Sequence, residues 1–185
     1  MTRRFVSAVG VVIATVAAAL LTTLGGCSDA LNWREFAWPE GEFKVLFPAR
    51  PDREVGQVTI GGVPLSMTLI RVRVEGIAFA AGYAELPMTL DAAGQSKLLD
   101  DAVQIFVTNV AAAKPEIKTI GVSGHPAREF RATGQPDGKS RTVIGRVAVS
   151  DKRYYQVIAV VPTERANEPD LQLFVESLTI DRTSR

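Results

Sequence analysis

The sequence predicts an α/β (α+β) domain: a mainly antiparallel β-sheet flanked by helices. Three observations carry this. Short runs rich in Val, Ile, Phe and Tyr recur between Phe43 and Val161, separated by turn pairs such as Gly61-Gly62, Glu75-Gly76 and Asp151-Lys152. Reversals that tight join antiparallel neighbours. One stretch, 91–113, changes its apolar period from that of a strand to that of a helix. Finally, Val157-Ile158-Ala159-Val160-Val161 is apolar on both faces, as a central strand covered on both sides must be.

The elements follow in order. Phe43-Lys44-Val45-Leu46-Phe47 is a short strand stopped by Pro48. Glu54 to Ile60 and Leu65 to Val74 form a hairpin around Gly61-Gly62, which supplies positive φ angles. Glu75-Gly76 turns the chain into Ile77 to Glu85, and Pro87 ends that strand. In the helical stretch, Leu98, Leu99, Ala102, Ile105, Phe106, Asn109, Val110 and Ala113 share one face. Asp91 serves as N-cap and Lys114-Pro115 as the stop. A helix of this kind covers a sheet. Strands resume at Ile117 to Val122 and Ala127 to Thr133, and residues 134–138 are a turn cluster. Arg141 to Ser150 and Arg153 to Val161 make a long hairpin. A last helix, Leu171 to Leu178, is entered near Glu168-Pro169-Asp170, and Leu178-Thr179-Ile180 adds a little extended chain. The order is four strands, a helix, four strands, a helix.

Before this domain, Arg3 and Arg4 precede an uncharged apolar run from Phe5 to Leu24, the layout of an export signal. A run of that length also approaches a spanning helix. Leu24-Gly25-Gly26-Cys27 decides between the two, because it resembles the lipobox of bacterial lipoprotein signals. The resemblance implies cleavage after Gly26, a thioether-linked diacylglycerol on Cys27 and acylation of the new amino group. Residues 1–26 are then the signal peptide, 27–41 the lipidated N-terminus and tether, and 42–181 one domain. Several acyl chains hold firmly where one holds only marginally. Ser28, rather than Asp, follows Cys27, which favours the outer membrane, facing the periplasm, over the inner membrane. Trp33, Phe36 and Trp38 are too apolar for a pure linker. They are expected to pack on the domain edge, with contact at the membrane interface as the alternative.

Charge narrows the partners. The chain carries 21 basic and 20 acidic residues, and loss of Arg3 and Arg4 with the signal leaves a net −1. Such balance predicts no nucleic-acid partner. Cys27 is the single cysteine, so no internal disulfide forms. His125 is the single histidine, so a multi-histidine metal site is excluded. Ser123-Gly124-His125 reads as a turn rather than a nucleophile and its base, and no Walker-type loop or dinucleotide fingerprint is present. No catalytic residues, metal or cofactor are expected. Arg71 and Arg73 alternate with apolar residues on one strand. If Arg128 and Arg131 joined them, the four would form a candidate binding face for an anionic ligand or partner, against the blander reading of a solvated face paired with acids.

Four segments carry a wider resemblance. They are Glu40-Gly41-Glu42-Phe43-Lys44-Val45-Leu46-Phe47-Pro48 with Pro51, Gly124-His125-Pro126-Ala127-Arg128-Glu129-Phe130, Arg153-Tyr154-Tyr155-Gln156-Val157 and Phe174-Val175-Glu176-Ser177-Leu178. Their order and spacing resemble the Mog1/PsbP-like α/β/α-sandwich proteins. The resemblance implies an antiparallel sheet between helices, little chemistry and a tendency toward non-enzymatic binding of a protein partner. The function expected is therefore a membrane-anchored, non-enzymatic accessory module for an envelope protein complex. The alternatives are a small-ligand carrier or sensor with a cleft beside the sheet, and a weak hydrolase with remote carboxylates.

Overall fold

The computed structural model describes residues 31–181. The expectations for Leu24, Gly25, Gly26 and Cys27 lie outside the described residues. The chain forms β1 (Arg34–Trp38), β2 (Phe43–Phe47), β3 (Asp52–Ile60), β4 (Val63–Val74), β5 (Ile77–Glu85), α1 (Ala92–Asn109), β6 (Glu116–Val122), β7 (His125–Gly134), β8 (Arg141–Val149), β9 (Arg153–Pro162), α2 (Pro169–Glu176) and β10 (Thr179–Ile180).

Seven strands make one antiparallel sheet in the order β3-β4-β5-β9-β8-β7-β6. The strand with apolar residues on both faces, β9, is its middle member. Helix α1 covers one face through Leu98, Leu99, Ala102, Val103 and Val107. The other face is covered by α2 and by a three-stranded sheet ordered β1-β2-β10. Each face of the main sheet thus has its own apolar layer, as burial on both sides requires.

The hairpins close as their residues dictate. Gly61 and Gly62 have φ of 58° and 82°, and Ser123 and Gly124 have 51° and 85°. Two successive positive φ values make the turn whose twist matches the flanking strands. This pulls pairing right up to the turn. β4 starts at Val63 and β7 at His125, each two residues before the strand that periodicity predicts. His125 is accordingly the first residue of a strand, not part of the turn.

Three expectations are corrected. Residues 34–38, assigned to the tether, are β1, paired antiparallel with β2 from Arg34↔Phe47 to Trp38↔Phe43. Their aromatic side chains supply the reason: Phe36 and Trp38 pack on Phe47, at centroid distances of 6.1 and 5.9 Å. The domain therefore begins ahead of residue 42. The helix predicted over 91–113 is capped by Asp91, whose carboxylate accepts from the Gly94 N–H at 2.7 Å, but it ends at Asn109. Ala111 turns to φ 53°, and the α1 C-terminus lies so close to β7 that a Cβ on Gly134 would overlap the Val110 carbonyl. Its buried face is also rotated, because Val103 and Val107 are buried while Ile105 and Phe106 are only partly so. Lastly, α2 begins at Pro169, where a missing N–H is harmless, and ends at Glu176 rather than Leu178.

Candidate functional site

The strands have two ends, and one of them carries a cleft of about 730 Å³. The β6–β7 turn, the β8–β9 turn, the start of β2 and the end of β10 converge there. Tyr155 of β9 forms the floor and is 1% exposed. Burial pushes its hydroxyl pKa up, while hydrogen bonds to Arg153 and Ser150 oppose the shift.

Arg153 organises the wall. Its Nε donates to Glu85 at 2.6 Å, and a second nitrogen donates to Glu42. Glu85 is its neighbour in the β5–β9 ladder, whereas Glu42 comes from 111 residues away in sequence. Glu42 caps the 3-10 turn Pro39–Gly41 with φ 53°. Its own carbonyl accepts the Asp181 N–H at 2.8 Å, and the Ile180 N–H donates to Ser123 Oγ at 2.9 Å. The C-terminal strand is thus stitched to both sides of the cleft by backbone donors. Lys152, Asp151 and His125 stand at the rim.

This arrangement is suited to polar contact. Ser123 Oγ is engaged by Ile180 and shares no hydrogen bond with His125, so the two form no nucleophile–base pair among the described residues. Arg153 bridges the carboxylates of Glu42 and Glu85. No group of three His, Cys, Asp or Glu side chains among the described residues is placed to hold a metal.

The four arginines singled out from sequence are not brought together. Arg71 donates to Glu54 at 2.6 Å, and Arg73 is exposed on the same face of β4. Arg128 and Arg131 stand on β7, with β5, β9 and β8 between. Four strand spacings amount to about 19 Å. Arg128 turns toward α1, donating to Asp100 at 2.8 Å and Ser96 at 2.7 Å. Arg131 turns to the opposite face and donates to the Ala166 carbonyl at 2.8 Å and Asn167 at 3.3 Å. The odd spacing of 128 and 131 on a strand puts them on opposite faces. Sequence reasoning missed the Glu42–Arg153–Glu85 cluster. The available signal was Arg153, adjoining the charged Asp151-Lys152 turn.

No protein-family model matches the chain, and no curated protein matches it. Solved structures do. The solution structure of a cyanobacterial PsbP (CyanoP) from Synechocystis superposes with a TM-score of 0.50 at 14% identity, covering 87% of this chain and 99% of that one. LpqN, described as involved in cell envelope biogenesis of Mycobacterium tuberculosis, gives a TM-score of 0.47 at 13% identity, covering 82% of this chain and 92% of that one. At such identities the likeness concerns architecture: the described residues have a PsbP-like α+β fold of antiparallel sheets with two α-helices.

Proposed function

We propose that the protein is a bacterial envelope lipoprotein, anchored through acyl chains on Cys27, and that its domain is a non-enzymatic accessory module for an envelope protein complex. The observation that carries the reading is the lipobox-like Leu24-Gly25-Gly26-Cys27 placed directly before a folded domain whose first strand starts at Arg34. A lipid anchor confines such a module to the membrane and raises its effective concentration for a partner there. Ser28, rather than Asp, following Cys27 favours the periplasmic face of the outer membrane.

The cleft supports a second reading, a small-ligand carrier. Ligand pockets are mostly apolar with a few convergent polar groups. This cleft is edged by Glu42, Asp151, Lys152, Arg153 and Asp181, which suits a polar protein contact better than an apolar ligand.

In-cell crosslinking of the lipidated protein, followed by affinity purification and mass spectrometry, tests the reading, with Cys27→Ala as control. The expected result is one envelope protein near stoichiometry, lost in the control. Recovery of background proteins alone overturns the accessory role. Retention of Cys27→Ala in the membrane fraction overturns the anchor.

A further inference from the structure

We propose that β3, at one edge of the main sheet, pairs antiparallel with β3 of a second copy of this chain about a two-fold axis through Gly56, joining the two seven-stranded sheets into one. Among the described residues no strand lies beyond β3, and it is exposed from Asp52 to Gln57. An edge strand leaves alternate N–H and C=O groups unpaired, and proteins blunt such edges with charge, proline or bulges. The two edges differ in this respect. β6 carries Glu116 and Lys118 and follows Lys114. In β3 the stretch Val55-Gly56-Gln57-Val58-Thr59-Ile60 holds no charge and no proline, and Val55 is 64% exposed. Pairing of β3 with β4 runs unbroken from Asp52↔Arg71 to Ile60↔Val63, so no bulge turns the edge away.

The register follows from the hairpin. Ile60 and Val63 flank its two-residue turn and form the closing hydrogen-bonded pair, so the even-numbered residues of β3 bond to β4. Pro64, opposite Thr59, has no N–H, in agreement with this alternation. The N–H and C=O groups of Arg53, Val55, Gln57 and Thr59 therefore point off the edge. With the axis at Gly56, Arg53 lies opposite Thr59 of the second copy and Val55 opposite its Gln57, so all four pair and about eight hydrogen bonds form. An axis at Val55 sets Thr59 against Pro51, and one at Gln57 sets Arg53 against the turn residue Gly61, so either leaves groups unpaired. Asp52 and Glu54 face Ile60 and Val58 of the second copy, so no like charges are opposed, and the exposed Val55 gains its own counterpart as a diagonal neighbour. Gly56 is the independent sign. It has no positive φ, and a Cβ on it would meet nothing within 4 Å, so neither backbone nor packing within the described chain calls for glycine there. Glycine inside a strand marks the close approach of another backbone. At the axis two identical residues meet in a non-hydrogen-bonded pair, about 4.5 Å apart at Cα, where two side chains crowd most.

Density-matched sedimentation of the full chain in a nonionic detergent tests the dimer. One paired edge is a small interface, so a monomer–dimer equilibrium with a Kd of about 10–100 μM is expected. Gln57→Pro removes one outward N–H from each copy, at a position where an edge strand tolerates proline. It should weaken the dimer about thirtyfold, because symmetry removes two bonds at once. Should that variant fail to fold, Val55→Lys sets two ammonium groups diagonally across the axis and should weaken the dimer about fivefold. Thr119→Pro, the matching outward position on β6, should leave it unchanged. The register is read by oxidising Gly56→Cys, whose counterpart lies within disulfide reach, and Val58→Cys, whose counterpart lies about 13 Å away. The expected product is the tryptic peptide 54–71 linked to itself through position 56; Cys27 lies in another peptide, so its state does not enter. A chain that stays monomeric at about 200 μM overturns the proposal. So does a dimer that survives both β3 variants, or one lost in Thr119→Pro. Linkage at 58 in preference to 56 overturns the register. A monomer whose Gln57 amide exchanges slowly shows the edge covered by the chain itself or by another protein, and overturns the second copy as its occupant.

Discussion

The two faces of the main sheet are stabilised differently. The α1 face is largely aliphatic, with Leu98, Leu99, Val103 and Val107 of one helix laid across Val143, Val147 and Ile158. The opposite face is aromatic. Phe174 of α2 lies 5.0 Å from Phe79, 5.4 Å from Phe47 and 6.3 Å from Trp33. A single continuous helix suffices for the first face, because its side chains repeat along one stripe. The second face is covered by pieces distant in sequence, β1, β2, α2 and β10, and large rings bridge the gaps between them. One face depends on a local element, the other on long-range assembly.

Truncation at the two centres tests that contrast. Phe174→Ala is expected to lower unfolding stability by about 4 kcal/mol, and Leu99→Ala by about 3 kcal/mol, in urea titrations followed by circular dichroism. Both residues are fully buried. The sharper difference is in spread. Phe174→Ala should also raise amide exchange in β1 and β2, because its ring bridges them to the main sheet. Leu99→Ala should raise it mainly in α1. If both variants loosen the same amides, the two layers behave as one core and the contrast fails.

Arg153→Gln is expected to have a smaller effect, about 1 kcal/mol, or about 3 °C in Tm. The Arg153 side chain is 18% exposed, but Glu85 is 60% exposed and so gains little from the pair. An unchanged Tm would place the cluster's role in binding alone.

The smallest effect near neutrality is on pH dependence. Burial pushes the hydroxyl pKa values of Tyr154, on the α1 face, and Tyr155, on the aromatic face, above the ordinary tyrosine range. The folded protein therefore keeps protons that the unfolded chain releases from about pH 10. Their contribution is fully present below that pH and declines as pH rises beyond it. The urea midpoint should fall between about pH 9 and about pH 11, and Tyr154→Phe should blunt the fall more than Tyr155→Phe. The reverse order would show that the aromatic face opens first in alkali.

Much of the fold was legible in the residues. The Gly61-Gly62 hairpin, the Asp91 cap and the central place of β9 follow from φ preference, a short acceptor side chain and apolar runs, each confined to a few neighbours. Element ends were less legible. The α1 stop at Asn109 depends on how closely β7 approaches, which a helical pattern continuing to Ala113 does not reveal. The arginine face read from Arg71, Arg73, Arg128 and Arg131 dissolved for a related reason: alternation sets the face of a strand, but not which strands stand beside it.

By itself the sequence determined the existence of both helices and of the strands between Phe43 and Val161, where the hairpins turn, that the sheet is antiparallel and that β9 is buried on both sides. These depend on backbone sterics and on periods of two or 3.6 residues, which act over short stretches of chain. Tertiary structure alone decided that residues 34–38 close a second sheet and that Glu42 meets Arg153 from 111 residues away. Those outcomes require loops to close over long separations, and the global packing that offsets their entropy leaves no mark on any single stretch of residues.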